Sequence, residues 1–281
     1  MIGEQLLVKI LYRMKGKRVV SLLNKKIIIT GASSGLGAEI ANKVAENKGT
    51  PILIARSENK LSEIVTEIKA KWGIEAKYYV FDLKQMDSIH SFVETIIDVE
   101  KNVDIVVNNA GFGIFENLIE ADPIQIEEMF RVNVISLIYF TQACLPYMLT
   151  RNGGHIINIA SQAGKVGSPK STIYASTKHA VLGFTNSLRM ELSKTNIQIT
   201  AVNPGPIKTS FFDTADKSGE YVKNAGKYML DSKAVADKIV KVMIRPKREV
   251  NIPGWMNIGS VFYQLFPTLF EKVLGPIIHK K

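Results

Sequence analysis

The chain has 281 residues, of which 46 % are hydrophobic and 22 % charged, with a net charge of +10. The length suits one large α/β domain or two small ones, and the composition a globular protein with a substantial core. A single cysteine, Cys144, excludes an internal disulfide, and four scattered histidines offer no metal-ligand spacing, so no metal site is expected.

Residues 1–24 read as a basic extension. Lys9, Arg13, Lys15, Lys17 and Arg18, with Lys25 and Lys26 just beyond, stand against one acid, Glu4, and hold more than half of the net charge. No aromatic platform or nucleic-acid motif accompanies them, so no nucleic-acid partner is expected. An apolar, basic segment of this kind suits contact with anionic lipid or a partner, or simply solubilises the end. Lys9 and Arg13 interrupt the apolar run and no small-residue cleavage site follows, so no secretory signal peptide is expected. Together with the lone cysteine this points to a cytoplasmic, or peripherally membrane-associated, protein.

From residue 25 onward, short apolar runs alternate with amphipathic helices. KKIIIT is followed by a glycine turn and the helix around AEIANKVAEN. PILIA, the helix LSEIVTEIKAKW, AKYYVFD, a helix near SIHSFVETIIDV and DIVVN come next. A long helix over about 124–150 leads to HIINIAS, a helix carrying YASTK, and QITAVNP. Cys144 lies in the apolar helical stretch TQACLPYML, as a buried packing residue would. Such βαβ alternation with near-continuous apolar strands implies one doubly wound parallel sheet with helices on both faces, over residues 25–254.

Residues 255–281 form a distinct apolar tail. Ile258, Val261, Phe262, Leu265, Phe266, Leu269, Phe270, Val273 and Leu274 recur at helical spacing, and Pro267 should kink the helix or start another. Gln264, Glu271 and Lys272 keep it short of the roughly 20 apolar residues of a membrane span. Packing against the domain or a sister subunit is expected; docking on a membrane surface is the second reading.

The turn TGASSGLG places Gly31, Gly35 and Gly37 between a strand and a helix, where a dinucleotide pyrophosphate sits on a helix N-terminus. Ser33 and Ser34 add hydroxyl donors beside Leu36. An NAD site usually has an acid at the end of the second strand to hold the ribose 2′-hydroxyl. Here Arg56 and Ser57 stand there, a cation and a hydroxyl that suit a 2′-phosphate. NADP(H) is therefore expected over NAD(H). In YASTK, Tyr174 and Lys178 are four residues apart and share a helix face. Alone, that spacing fits a weak surface pair as well as a phenol activated by a nearby cation.

With TGASSGLG, NNAG, a serine closing a core strand, YASTK and PGPIKT together and in order, the chain resembles the short-chain dehydrogenase/reductase superfamily over about residues 25–253. The resemblance implies a Rossmann-type fold and a catalytic tetrad. Tyr174 would be the acid/base, and Lys178 would lower its pKa and bond the nicotinamide ribose. Ser161 would hold the substrate carbonyl, and Asn133 would support a water-mediated proton path to the lysine. It further implies that Asp82 and Leu83 contact the adenine and that Asn109, Ala110 and Gly111 line the cofactor. Pro204, Gly205, Ile207 and Thr209 would meet its nicotinamide end.

The segment FFDTADKSGEYVKNAGKYML would close over a substrate, with Phe211, Phe212, Tyr221 and Tyr228 as aromatic contacts. ARSENKL and the apolar tail look most like members acting on hydrophobic carbonyls such as acyl chains, steroids or retinoids. The resulting expectation is an NADPH-dependent enzyme interconverting a small-molecule carbonyl and alcohol, as a homodimer or homotetramer. An NAD-linked alcohol dehydrogenase and a low-turnover NADP(H)-binding sensor or scaffold are the alternatives.

Overall fold

The computed structural model describes residues 21–278, so most of the basic extension and the last three residues lie outside the described residues. Seven parallel strands form one sheet: β1 (Lys26–Thr30), β2 (Thr50–Ala55), β3 (Lys77–Val80), β4 (Ile105–Asn108), β5 (Gly154–Ile159), β6 (Ile197–Pro204) and β7 (Glu249–Ile252). Their order is β3-β2-β1-β4-β5-β6-β7. The central strands are apolar on both faces because both faces are covered: Ile27, Ile28 and Ile29 are all fully buried.

The helices follow in chain order as α1 (Gly35–Glu46), α2 (Glu58–Trp72), α3 (Ile89–Glu100), α4 (Pro123–Phe130), α5 (Ser136–Thr150) and α6 (Thr172–Glu191). Two short helices, α7 (Phe211–Ala215) and α8 (Glu220–Ala225), precede α9 (Ser232–Ile244), α10 (Trp255–Leu265) and α11 (Pro267–Ile278). Helices α1, α2 and α9 pack with Ile27, Ile29, Leu53 and Val107 on one face. Helices α3 and α5 and the end of α6 pack with Ile28, Ile52, Val106 and Ile156 on the other. Cys144 is buried there, and desolvation pushes its thiol up to about 12, so it is inert packing.

Strand order reverses between β1 and β4. In a doubly wound sheet a ligand crevice opens at that point, beyond the carboxyl ends of the strands. The glycine turn, NNAG, Ser161 and Pro204 all lie at that end, because each follows or closes a strand of the central set.

Three details differ from the sequence reading. A seventh strand, β7, extends the sheet: it is short, carries Glu249 and Asn251, and precedes Pro253, so its pattern is not that of a core strand. Strands β3 and β5 stop at Val80 and Ile159, which leaves Asp82 and Ser161 in the loops just past them. The tail forms two helices, the second opened by Pro267, as one of the two readings of that proline expects. Of the two packings expected for the tail's stripe, against the domain or a sister subunit, the domain leaves most of it uncovered. Phe270 is buried, but Ile258 (74 % exposed), Leu265 (66 %), Phe266, Leu269 and Val273 face outward.

Candidate active site

The glycine turn is held from below by the segment after β4. The Thr30 hydroxyl oxygen accepts from the backbone N–H of Asn109 at 3.0 Å and of Ala110 at 3.1 Å. Asn109 Nδ2 donates to the carbonyls of Thr30 (3.0 Å) and Gly31 (3.2 Å). Gly31 has φ +64°, and a Cβ there would come within 2.8 Å of Ala110 Cα. A Cβ on Gly37 would lie 2.2 Å from Gly31 O, so α1 can start on top of the turn only with glycine at that position.

The mouth of this turn is suited to an anion. Exposed Ser34 stands at the N-cap of α1 without using its hydroxyl as a cap, which leaves that hydroxyl and the first helical N–H groups free of a capping bond. Ser33 and Leu36 are half-buried beside it. Across the crevice, Thr209 comes within 3.3 Å of where a Gly35 Cβ would be, so the PGPIKTS segment arcs over the turn. Arg56 follows β2 directly and is exposed; Ser57 begins α2, again with no side-chain cap bond. Asp82 caps the loop after β3 by accepting from Lys84 N at 3.0 Å, beside buried Leu83. These residues fit a dinucleotide lying across the strand ends, with its adenosine toward β2 and β3.

The four tetrad candidates come together at the carboxyl ends of β4 and β5. Lys178 is buried, and its Nζ donates to Ile159 O at 2.9 Å and lies 5.7 Å from the Tyr174 ring centroid. The two are no surface pair. Desolvation lowers the ammonium to about 8. It raises the Tyr174 phenol well above its ordinary range, while the neighbouring Ser161 hydroxyl works the other way. The phenol alone is therefore a reluctant acid.

Asn133 sits in a π-helical segment, Arg131–Ile135, between α4 and α5. Its Oδ1 accepts from Phe112 N at 2.9 Å, and its Nδ2 donates to Phe112 O (2.8 Å) and Thr177 Oγ1 (3.1 Å). Both amide hydrogens are thus committed, and the side chain acts as a clamp between the NNAG loop and α6. A side chain at Gly111 would meet Asn133 Oδ1 at 3.0 Å and Lys178 Nζ at 3.5 Å, so this glycine keeps the approach to the lysine open. Ser161 accepts from Ala163 N at 3.0 Å and lies against Pro204 O at 3.4 Å.

The family model of short chain dehydrogenases matches residues 25–219. The chain belongs to that family. A Dictyostelium discoideum dehydrogenase/reductase SDR family protein 7-like is 35 % identical over 270 residues, 92 % of this chain and 83 % of the relative. A Nostoc ketoacyl reductase, HetN, is 31 % identical over 83 % of this chain and 79 % of its own. Among solved structures, actinorhodin polyketide ketoreductase with NADPH superposes with TM-score 0.73 at 26 % identity, over 83 % of this chain and 97 % of that one. A Burkholderia phymatum short chain dehydrogenase/reductase in complex with NAD gives 0.81 at 22 % identity, over 89 % and 96 %, a likeness of fold alone.

In this short-chain dehydrogenase an aromatic roof lies over Tyr174. Phe211 and Phe115 each stand 5.7 Å from its ring, Tyr221 lies 4.9 Å from Phe115, and Phe212 stacks on Tyr221 at 5.4 Å. Phe115 is the member that sequence reasoning missed: it belongs to no periodic element, and only the glycines around it (GFGIFE) hinted at a close approach. A Cβ on Gly113 would touch Phe211 and Tyr174 at 3.0 Å each. The roof is pinned by Phe115 N donating to Ala215 O (2.8 Å) and by Lys170 pairing with Glu220 (2.7 Å). Tyr228 is not part of it; it is half-exposed and pairs with Trp255 at 6.4 Å.

The remaining candidates form the far wall. Gly205 N donates to Ile252 O at 2.7 Å, Ile207 bridges to Leu230, and a Cβ on Gly205 would meet Met256 S at 2.9 Å. Behind Ser161, Gln162 Nε2 donates to Asn203 O (2.9 Å) and Asn251 Oδ1 (3.2 Å), fixing the serine loop to β6 and β7.

Proposed function

We propose that this short-chain dehydrogenase interconverts an apolar ketone or aldehyde and its alcohol, using NADP(H), with Tyr174 as acid/base. The observation that carries the reading is the pairing of half-buried Tyr174 with buried Lys178, with Ser161 beside it and aromatic rings above, at the strand ends that also carry the glycine turn. The NADPH-bound ketoreductase and the ketoacyl reductase among its relatives support a carbonyl as substrate.

The cofactor, when bound, supplies or accepts the hydride. The protein's part is to hold the carbonyl and manage its proton. Ser161 donates a hydrogen bond to the carbonyl oxygen, as an oxyanion-hole donor does where negative charge develops. Tyr174 gives its phenolic proton to that oxygen as the charge appears, leaving a phenolate. The Lys178 ammonium stabilises the phenolate, which desolvation would otherwise disfavour. In the alcohol-to-carbonyl direction the same phenolate accepts the proton. Asn133 holds Phe112, and Gly111 before it has no side chain, so that the space beside Lys178 stays open.

Arg56 and Ser57, with no acid at the end of β2, support a 2′-phosphate and hence NADP(H). Phe115, Phe211, Phe212 and Tyr221 support a substrate with an apolar body. Assembly as a homodimer or homotetramer and a cytoplasmic or membrane-peripheral setting complete the proposal.

The test is NADPH oxidation over aldehydes and ketones graded in apolar length, with NADH alongside and mass read by light scattering. Turnover with NADPH that rises with chain length is expected. Tight NADPH binding with no turnover on any carbonyl would turn the reading to the sensor, and better turnover with NADH would overturn the reading of Arg56.

A further inference from the structure

The two C-terminal helices carry an apolar surface that the domain does not use. Between Trp255 and Ile278 only Glu271 and Lys272 are charged, and α10 itself carries no charge. Trp255, Ile258, Val261, Leu265, Phe266, Leu269 and Val273 are all exposed there, half or more for every one except Val261 (44 %). An exposed face this rich in large apolar side chains marks a contact site rather than scattered surface.

The face is held firmly. Phe262 lies 5.8 Å from Phe266 and 6.1 Å from Phe270, and Tyr263 lies 5.1 Å from Phe270, so the pair of helices has its own small core. Lys165 Nζ donates to Asn257 Oδ1 at 2.9 Å, Ser260 is buried, and Met256 abuts Gly205, so α10 is fastened to the loops behind Ser161 and after β6. Trp255 touches Tyr228, at the end of the segment that roofs Tyr174. The apolar face therefore begins beside the segment that follows the roof.

We propose that this face docks the enzyme on an anionic lipid bilayer, with α10 and α11 lying in the interface and the site's mouth at the lipid surface. Charge selects this occupant over a second copy. Exposed Lys272 lies on this tail, Lys280 and Lys281 follow it in the sequence, and the whole chain carries +10. A second copy brings the same lysines and the same net charge, so self-association here sets like charges together. An anionic bilayer accepts the tryptophan, phenylalanine and aliphatic side chains and the lysines at once. The consequence that an apolar carbonyl enters from the bilayer rests on the reductase reading; the docking itself does not.

The test is sedimentation of the full chain with vesicles of phosphatidylcholine carrying about 30 % phosphatidylserine, and with phosphatidylcholine alone. A triple variant, Ile258→Ser, Leu265→Ser and Leu269→Ser, alters only exposed positions outside that small core, and its thermal midpoint is checked against the wild type. The expected result is pelleting with the anionic vesicles, weakened by salt, with partitioning of the variant lower by about tenfold or more. Equal pelleting of variant and wild type, or no pelleting of the wild type, overturns the proposal. So does a wild-type dimer that the variant converts to monomer, which assigns the face to a second copy. Because none of these readouts uses turnover, a failed reductase reading leaves the result interpretable.

Discussion

Asn133 grips the backbone of Phe112 at both ends, accepting its N–H at 2.9 Å and donating to its carbonyl at 2.8 Å. This single side chain fixes the loop between β4 and α4 against the helix that carries Tyr174 and Lys178. In Asn133→Ala both Phe112 groups lose their partner, at a cost of roughly 1–3 kcal/mol each where they stay dry. The expected outcome is a melting midpoint lower by several degrees together with reduced kcat, measured by calorimetry and steady-state kinetics. An unchanged midpoint would show that water replaces the amide without loss.

The depressed Lys178 sets a pH limit on catalysis. Its ammonium, lowered to about 8 by burial, is the form that stabilises the phenolate, while burial holds Tyr174 protonated well beyond that pH. In the reduction direction kcat/KM, which reports the free enzyme, should hold steady below about pH 8 and fall as pH rises through it. The stability linkage has the opposite sense. Between about 8 and the ordinary 10.5 the folded chain binds fewer protons than the unfolded one at this lysine, so its contribution to stability rises with pH. A pH–rate profile flat to pH 10 would contradict the assignment.

Arg56→Asp should exchange the cofactor preference. A charge-assisted bond to a phosphate contributes about 1.5–3 kcal/mol, so NADPH affinity is expected to fall by roughly 10- to 100-fold. NADH affinity should hold or improve, because the new carboxylate can accept from a ribose hydroxyl. Titration of both cofactors by fluorescence decides it; an equal loss for both would place Arg56 outside the 2′ site.

His155 makes the fold sensitive to acid. It is buried in β5, Nε2 lies 2.8 Å from Thr200 Oγ1, and Nδ1 has no partner among the described residues. The Thr200 hydroxyl donates to Lys247 O, so the ring is expected to donate through Nε2 and remain neutral. Burial lowers its pKa from 6.5 to about 4, so the unfolded chain takes up a proton first as pH falls. Stability present above pH 6.5 should decline through pH 4, by roughly 3 kcal/mol at about 1.4 kcal/mol for each pH decade spanned. Urea melts from pH 7 to 4 should be flatter in His155→Asn than in the wild type, allowing for the variant's own lower starting point.

Much of this could be read from the residues because its physics is local. Gly31 and Gly37 announce backbone contact wherever they stand, and Tyr174 and Lys178 share a helix face by spacing alone. What could not be read depends on distant segments meeting. Nothing in GFGIFE says that Phe115 will lie under Phe211 and Tyr221, since those rings are about a hundred residues away in sequence. β7 was invisible because its burial comes from pairing with β6, not from its own pattern. The tail's periodicity gave an apolar face at Ile258, Leu265 and Leu269, but not whether the domain would cover it. Proximity in sequence to Phe211 puts Tyr228 over the substrate, yet the chain turns it to Trp255.

Phe115→Ala should separate apolar from small substrates. Loss of one ring from the roof is expected to raise KM for a long-chain carbonyl about tenfold and leave a short, water-soluble one nearly unchanged. Steady-state kinetics on the pair of substrates reads the difference. Equal losses on both would mean that the ring positions Tyr174 rather than the substrate.

The central claim is that Tyr174 carries the proton. It is tested by comparing wild type and Tyr174→Phe in one preparation, with NADPH affinity by fluorescence and NADPH oxidation on the best carbonyl of the panel. The account predicts that the variant binds NADPH as the wild type does and that kcat falls by a factor on the order of 100 to 10,000, the range for loss of a general acid. A variant that folds, binds NADPH and still turns over at the wild-type rate would contradict it.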